Sequence, residues 1–170
     1  RYVMSKTNEN VGSAFAGESQ ANRKYLFFGE KAEEEGHKQI ARLFRATAEA
    51  ETVHARNHLK VLQGIMSTKE NLQAAIKGEN HEFTEMYPGF IKQAESENQG
   101  KAKNSFDLAN KVEKLHHGLF QAALGKLEKG QAMEDQPFYV CQICGNTVEG
   151  KAPDKCPVCG APAKMFKRID

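Results

Sequence analysis

The chain has 170 residues, 27% of them charged and 39% hydrophobic, the composition of an ordinary water-soluble protein of one domain, or of a domain plus a small module. Its formal net charge of +2 comes from 24 basic and 22 acidic residues that are interspersed rather than blocked, which gives no argument for a nucleic-acid partner. No apolar run is long enough to cross a bilayer, so no membrane association is expected, and no basic stretch followed by an apolar one marks a secretory signal. Met4 reads as the native start, with Arg1, Tyr2 and Val3 an added remnant.

Residues 5–130 hold a single proline, Pro88, and are rich in Ala, Glu, Lys, Leu and Gln, all strong helix formers. Breaks at Gly36, at residues 64–67, at Gly100 and at Gly130 divide the stretch into four segments of roughly 26–32 residues, far too long for strands. Ser67 and Glu70 form a capping-box pattern at the start of the third segment. Gly36, Gly100 and Gly130 stand where helix C-termini favour glycine. Helices of this length reach about 40–45 Å, and short connections between them predict an antiparallel up-down four-helix bundle. Pro88 must kink or interrupt the third helix, because it lacks a backbone donor and clashes with the preceding turn.

After Gly130 the composition changes. Residues 131–136 read as a linker, and residues 137–170 hold the other four prolines and all four cysteines. So short a module cannot build a sufficient apolar core, so a metal must stabilise it. The pattern is Cys141-Gln-Ile-Cys144-Gly145 and, eleven residues on, Cys156-Pro-Val-Cys159-Gly160. Two such knuckles give a tetrahedral four-sulfur site for one metal, either zinc or a single iron. Cysteines paired this closely indicate metal binding in a reducing compartment rather than a disulfide framework, and a cytoplasmic location is expected.

The helical segments carry a constellation of acidic residues and histidines. The first has Glu18, the second Glu51 and His54, the third Glu82 and Glu85, and the fourth Glu113 and His116. Each Glu-x-x-His spacing places both side chains on one helix face. Their neighbours on those faces are apolar or small: Val11, Ala14, Ala21 and Tyr25 on the first, Phe44, Ala48, Ala55 and Leu62 on the second, and Phe106, Ala109 and Phe120 on the fourth. Inward carboxylates without matching Lys or Arg call for cations, and carboxylate with imidazole suits iron or manganese. A lone Glu on a helix is ordinarily solvated surface; two Glu-x-x-His pairs with carboxylates on the remaining helices reverse that judgement, and they match the general pattern of ferritin-like di-iron proteins. Four carboxylates balance two ferrous ions, and oxidation adds positive charge that a further carboxylate serves better than an imidazole. One iron is therefore expected to exchange His54 for Glu85 between the reduced and oxidised states. Tyr25 lies on the face of Glu18, where a buried hydroxyl needs a polar partner such as a metal-bound carboxylate; plain core packing is the competing reading. His117 points away from His116, His58 lies a turn beyond His54, and His37 and His81 read as solvated.

The residues resemble those of the rubrerythrins over essentially the whole chain. The stretch from Ala14 through Glu18 to Ala21 is similar to that family's first ligand motif, and Glu82-Phe-Thr-Glu85-Met-Tyr-Pro88 to its third-helix signature. With Glu51, His54, Glu113 and His116 and the rubredoxin-like Cys141, Cys144, Cys156 and Cys159, the combination is specific. The resemblance implies a homodimeric di-iron peroxidase that reduces hydrogen peroxide to water in oxidative-stress defence. Its two irons lie in the helical domain, and electrons arrive from a donor protein (a reductase or rubredoxin) through one iron in the four-cysteine site, with zinc as a substitute ion. It also implies that Glu51 and Glu113 bridge the irons, that Glu18 and Glu82 are terminal, that His116 binds the second iron, and that the His54/Glu85 exchange occurs. Asn146 departs from the family, since rubredoxins usually follow the knuckle glycine with an aromatic; the ligands are unaffected, while solvent access and potential are open to change.

His116 lies about 21 Å along the helix from Gly130, so the four-cysteine module begins far from its own helical site. Unless the linker folds back, a head-to-tail dimer that sets each module beside the partner's helices is expected. The rival functions are a ferroxidase or iron-handling ferritin-like protein, which needs no four-cysteine module, and a helical scaffold with a structural zinc ribbon.

Overall fold

The computed structural model describes residues 5–170; Met4 and residues 1–3, where the start of the native chain was placed, lie outside the described residues. The chain is mainly helical, as expected, with a small three-stranded sheet at its C-terminal end. It divides into two compact units at Met66 and Ser67.

The first unit is a helical hairpin, α1 (Lys6–Glu34) and α2 (Lys38–Val61). The Ser5 hydroxyl accepts from the Asn8 amide and caps α1, with Glu9 favourably placed in the first turn. The two helices approach closely because small residues meet between them. Ala32, Ala41 and Ala48 are buried, and a Cβ on Gly29 would stand 3.4 Å from the Ala41 carbonyl oxygen and 3.5 Å from Phe44 Cβ. The Asn22 amide donates to the Ala48 carbonyl and to Thr52 Oγ1, each at 2.8 Å, locking the register of α1 against α2. Tyr25, Phe28 and Phe44 stack as a ring cluster, with centroids 5.6–6.4 Å apart.

The second unit, Ser67–Asp170, begins with α3 (Thr68–His81), opened by the expected capping box: Ser67 Oγ accepts from the Glu70 amide and the Glu70 carboxylate accepts from the Ser67 amide. A π-helical turn, Glu82–Met86, joins α3 to α4 (Tyr87–Ser96). The Tyr87 amide reaches back five residues to the Glu82 carbonyl. Pro88, the next residue, has no amide to donate and would crowd the carbonyl four residues before it; the added residue relieves that crowding, so the interruption expected at Pro88 takes the form of a π turn between α3 and α4. α5 (Gly100–Glu128) packs on both α3 and α4, with Tyr87, Phe90 and Phe106 forming the ring cluster between them.

Of the three glycines predicted to end helices, Gly36 and Gly130 do so with positive φ, +84° and +66°. Gly100 instead starts α5. The left-handed residue before it is Asn98 (φ 55°), and Gln63 (φ 54°) serves the same purpose after α2.

Beyond an irregular segment the chain forms β1 (Phe138–Cys141), β2 (Thr147–Glu149) and β3 (Phe166–Ile169), an antiparallel sheet in the order β2-β1-β3. Val140 pairs with Thr147, and Cys141 with Phe166. The linker does fold back. β2 lies on α5, and a Cβ on Gly145 would stand 3.7 Å from Cγ1 of the buried Val112. Val112 directly precedes Glu113. The module therefore sits on the α5 turn that carries Glu113 and His116, and the distance argument for a head-to-tail dimer falls away.

Candidate metal centres

The four-cysteine site is built by two knuckles of the same design. In the first, the Gly145 amide donates to the Cys141 carbonyl and the Cys141 amide to the Asn146 carbonyl; in the second, the Gly160 amide donates to Cys156 and the Cys156 amide to Ala161. Gly145 and Gly160 take φ of +83° and +77°, which a side chain would strain. The four Sγ atoms all lie within 4.8 Å of one another, with Cys141 to Cys159 at 3.7 Å and Cys144 to Cys156 at 3.6 Å. Burial pushes the Cys144 thiol up, and the neighbouring sulfurs add to the rise against an opposing hydrogen bond from the Asn146 amide. Burial also opposes ionisation of Cys156, but hydrogen bonds from the Cys159 and Val158 amides outweigh it and bring that thiol down to about 7. Asn146, the residue that departs from rubredoxins, is 1% exposed, and its Nδ2 donates to Cys156 Sγ at 3.7 Å.

The helical ligands gather into two sets of three. In the first unit Glu18, Glu51 and His54 offer atoms within 4.8 Å of one another. His54 Nδ1 is 2.9 Å from Glu51 Oε2 and 3.9 Å from Glu18 Oε1, with the imidazole half-exposed at 53%. Tyr25, on the same helix as Glu18, packs against Phe28 and Phe44, in keeping with the packing reading.

In the second unit the set is Glu79, Glu113 and His116. His116 Nδ1 is 2.9 Å from Glu113 Oε2 and 3.8 Å from Glu79 Oε2. Glu79 is a ligand candidate that the sequence reading passed over. It stands one turn before Glu82 on the same face of α3, an i, i+3 spacing that could have revealed it. Its side chain is 18% exposed, and its Oε2 is buried without a donor. Burial, a hydrogen bond with Glu113 and the charges of Glu113 and Glu82 push its carboxyl up to about 7. A buried acceptor left unpaired beside a carboxylate and an imidazole nitrogen is a place for a cation.

Glu82 lies near this set without joining it. Its carboxyl is raised by burial first and by the Glu113 charge, against the pull of His81 and His116. Glu85 is not brought to either cluster. It is 72% exposed, with Oε2 3.3 Å from His81 Nδ1. The reason is the π turn: its wider winding swings Glu85 off the face that Glu79 and Glu82 share. Tyr87, another residue the sequence reading left aside, sits among the acids, its hydroxyl raised by burial and by Glu113, Glu82 and Glu79. His117 turns to Phe83, ring centroids 5.4 Å apart. A cavity of about 570 Å³, lined by Leu72, Phe120, Met133 and Phe138, has Glu79 and His116 in its wall.

One contact joins the second cluster to the cysteine module. His116 Nε2 lies 3.0 Å from Thr147 Oγ1, and Thr147 Oγ1 donates to the Gly145 carbonyl at 3.0 Å.

Comparison with known proteins agrees with this chemistry. Residues 9–124 match the rubrerythrin family model, and residues 139–167 match the model of the rubrerythrin rubredoxin-like domain. The chain is 38% identical to a rubrerythrin of Porphyromonas gingivalis, covering 96% of this chain and 90% of that one, and 34% identical to rubrerythrin-2 of Clostridium acetobutylicum, covering 95% of each. Solved structures of nigerythrin in its mixed-valent and fully reduced, all-ferrous states are 34% identical and superpose with a TM-score of 0.58, covering 99% of this chain and 89% of theirs. Oxygen and imidazole donors in the helices, and four thiolates at the C-terminal end, are iron sites of two kinds. By its matched models, its relatives and its ligand sets, the chain belongs to the rubrerythrin family.

Proposed function

We propose that the protein is a peroxidase that reduces hydrogen peroxide to water at a di-iron centre, with single electrons delivered through the four-cysteine iron. The observation that supports this reading best is the seat of the cysteine module on the α5 turn that carries Glu113 and His116. A ferroxidase or an iron store has no use for a one-electron site fixed beside its carboxylates. Iron held by four thiolates exchanges one electron with little rearrangement, and the carboxylate-bound pair supplies two electrons and Lewis acidity to an O–O bond.

Glu18, Glu51 and His54 would hold iron in the first unit, and Glu79, Glu113 and His116 would hold iron in the second. Glu51 and Glu113 would be the carboxylates through which, as the family resemblance implies, iron is held most closely, each supplying hard, negatively charged oxygen beside an imidazole. Glu82 would take the part expected of Glu85: a carboxylate held in reserve for the more highly charged oxidised state. Tyr87 would hold a proton beside the acids. The functional domains remain 5–130 for the di-iron part and 137–170 for the rubredoxin-like part, with 131–136 as linker. A homodimer and a separate electron-donor protein belong to the same proposal.

Metal analysis with an absorption spectrum before and after peroxide tests it. The expected result is three irons per chain, a red colour from the thiolate iron, and bleaching and return of that colour as peroxide is consumed. A colourless zinc protein from iron-replete growth, or a coloured one that never reoxidises with peroxide, would overturn it. A many-subunit cage in solution would favour the ferroxidase reading.

A further inference from the structure

We propose that Thr147 is a positioning residue for His116, so that the cysteine module sets the metal-binding form of the neighbouring carboxylate–histidine cluster as well as supplying it with electrons. Thr147 Oγ1 lies 3.0 Å from the Gly145 carbonyl and 3.0 Å from His116 Nε2. A carbonyl only accepts, so the hydroxyl proton points to Gly145. The hydroxyl lone pairs then face His116, and Nε2 must be the protonated nitrogen. That leaves Nδ1 with its lone pair free, and Nδ1 is the atom that faces Glu113 Oε2 at 2.9 Å and Glu79 Oε2 at 3.8 Å. The imidazole is thus held in the one tautomer that presents a ligand atom to the cluster.

The Gly145 carbonyl that orients Thr147 is itself fixed by the knuckle. Gly145 follows Cys144 directly, its amide donates to the Cys141 carbonyl, and its positive φ follows from the sharp turn around the sulfurs. Thr147 opens β2 and pairs with Val140 of β1, so its backbone is held from the other side too. Among the described residues no comparable hydroxyl is seen at His54, whose Nδ1 faces Glu51 and Glu18 and whose ring is half-exposed. The two histidines therefore differ: His116 is held at both ring nitrogens, one of them by the cysteine module, and His54 is held at Nδ1. The inference draws its significance from the electron-donor role proposed above, but the contact itself is independent of peroxide chemistry.

The test uses the full chain with colourless zinc in the four-cysteine site, and cobalt(II) titrated into the carboxylate–histidine clusters by its visible bands. T147V keeps the shape and removes the hydroxyl; T147S keeps the hydroxyl. Cobalt binding at the His116 cluster is expected to weaken by ~10–100-fold in T147V and to return in T147S. Nitrogen–proton correlation spectra of the same zinc-loaded chain before cobalt are expected to show the His116 proton on Nε2 in wild type and T147S, and a tautomer mixture in T147V. Unchanged cobalt affinity in T147V, failure of T147S to restore it, or a wild-type proton on Nδ1 would each overturn the proposal. If T147V does not fold, T147A carries the same comparison. Neither readout involves peroxide turnover, so failure of the peroxidase reading and failure of this inference are seen separately.

Discussion

Replacing Glu79 by Gln separates two effects that a surface glutamate would not show. The carboxyl is pushed from its ordinary 4.5 to about 7 by burial, by Glu113 and by Glu82. Taken at face value, that difference sets the charged form at a disadvantage of about 3.4 kcal/mol. The site is partly open to solvent, so screening reduces this to roughly 1–2 kcal/mol. At pH 8 the metal-free E79Q chain, relieved of that charge, should therefore melt about 2–8 °C above wild type, at about 2–4 °C per kcal/mol for a chain of this size. Metal binding should move the other way. Losing one of three ligands leaves the rest under-compensated and weakens cobalt or iron binding at the His116 cluster by about a hundredfold, on the scale of breaking a buried charge pair. Calorimetric melting of metal-free protein and cobalt titration measure the two arms. Glu85→Gln is the control: 72% exposed and paired only with His81, it should change neither. If E79Q bound cobalt like wild type, or E85Q lost binding as E79Q does, the assignment of Glu79 as ligand would be refuted.

The pH dependence of the metal-free chain follows from the same carboxyl. The folded state holds the Glu79 proton up to about pH 7 and the unfolded state releases it near 4.5, so folding stability should fall as pH rises between those values and be flat, for this group, outside them; urea titrations across the window check this. Metal binding must displace the proton, so cobalt affinity at that cluster should drop as pH falls below about 7. Gly145→Ala should cost about 1–2 kcal/mol through its φ of +83° rather than through crowding, because the nearest atom, Val112 Cγ1, would stand at an ordinary 3.7 Å. Asn146→Leu should make the four-cysteine iron harder to reduce, since the hydrogen bond to Cys156 Sγ favours the less positive ferrous state; voltammetry of the full chain reads the direction, and a shift to more positive potential would refute it. Cys144→Ser should remove the module's metal and expose residues 137–170 to protease while α1 and α2 keep their helicity.

Much of this was legible in the sequence because it is local. Helix lengths, the Ser67–Glu70 cap, the two Glu-x-x-His pairs and the two knuckles are all set by spacings of a few residues, where the geometry of one turn dictates which side chains meet. What escaped had a different physical origin. The interruption expected at Pro88 takes the form of a π turn that begins earlier, at Glu82, and its winding carries Glu85 away from Glu113 and His116, while Glu79, one turn upstream in α3, stands beside them. Asn98 adopts left-handed backbone two residues before the expected Gly100, because the three-residue connection between α4 and α5 turns there, and Gln63 does the same in the six-residue connection after α2. The return of the cysteine module onto α5 is tertiary. It depends on Val112 meeting Gly145 and on Thr147 meeting His116, pairs more than thirty residues apart that no local pattern announces.

The π turn has a further consequence, for tolerance to sequence change. Deleting one residue within Glu82–Met86 would remove the π turn and return Pro88 to the carbonyl that it crowds in a plain α-helix. It would also turn every following residue of α4 by about 100° about the helix axis. Tyr87 and Phe90 would then leave Phe106 and the acids would lose their tyrosine, although no side chain in either place had been altered. The extra residue works as a phase shifter between a segment that holds metal ligands and one that holds the hydrophobic contact with α5, and the two halves of this long helix can be right together only while it is present.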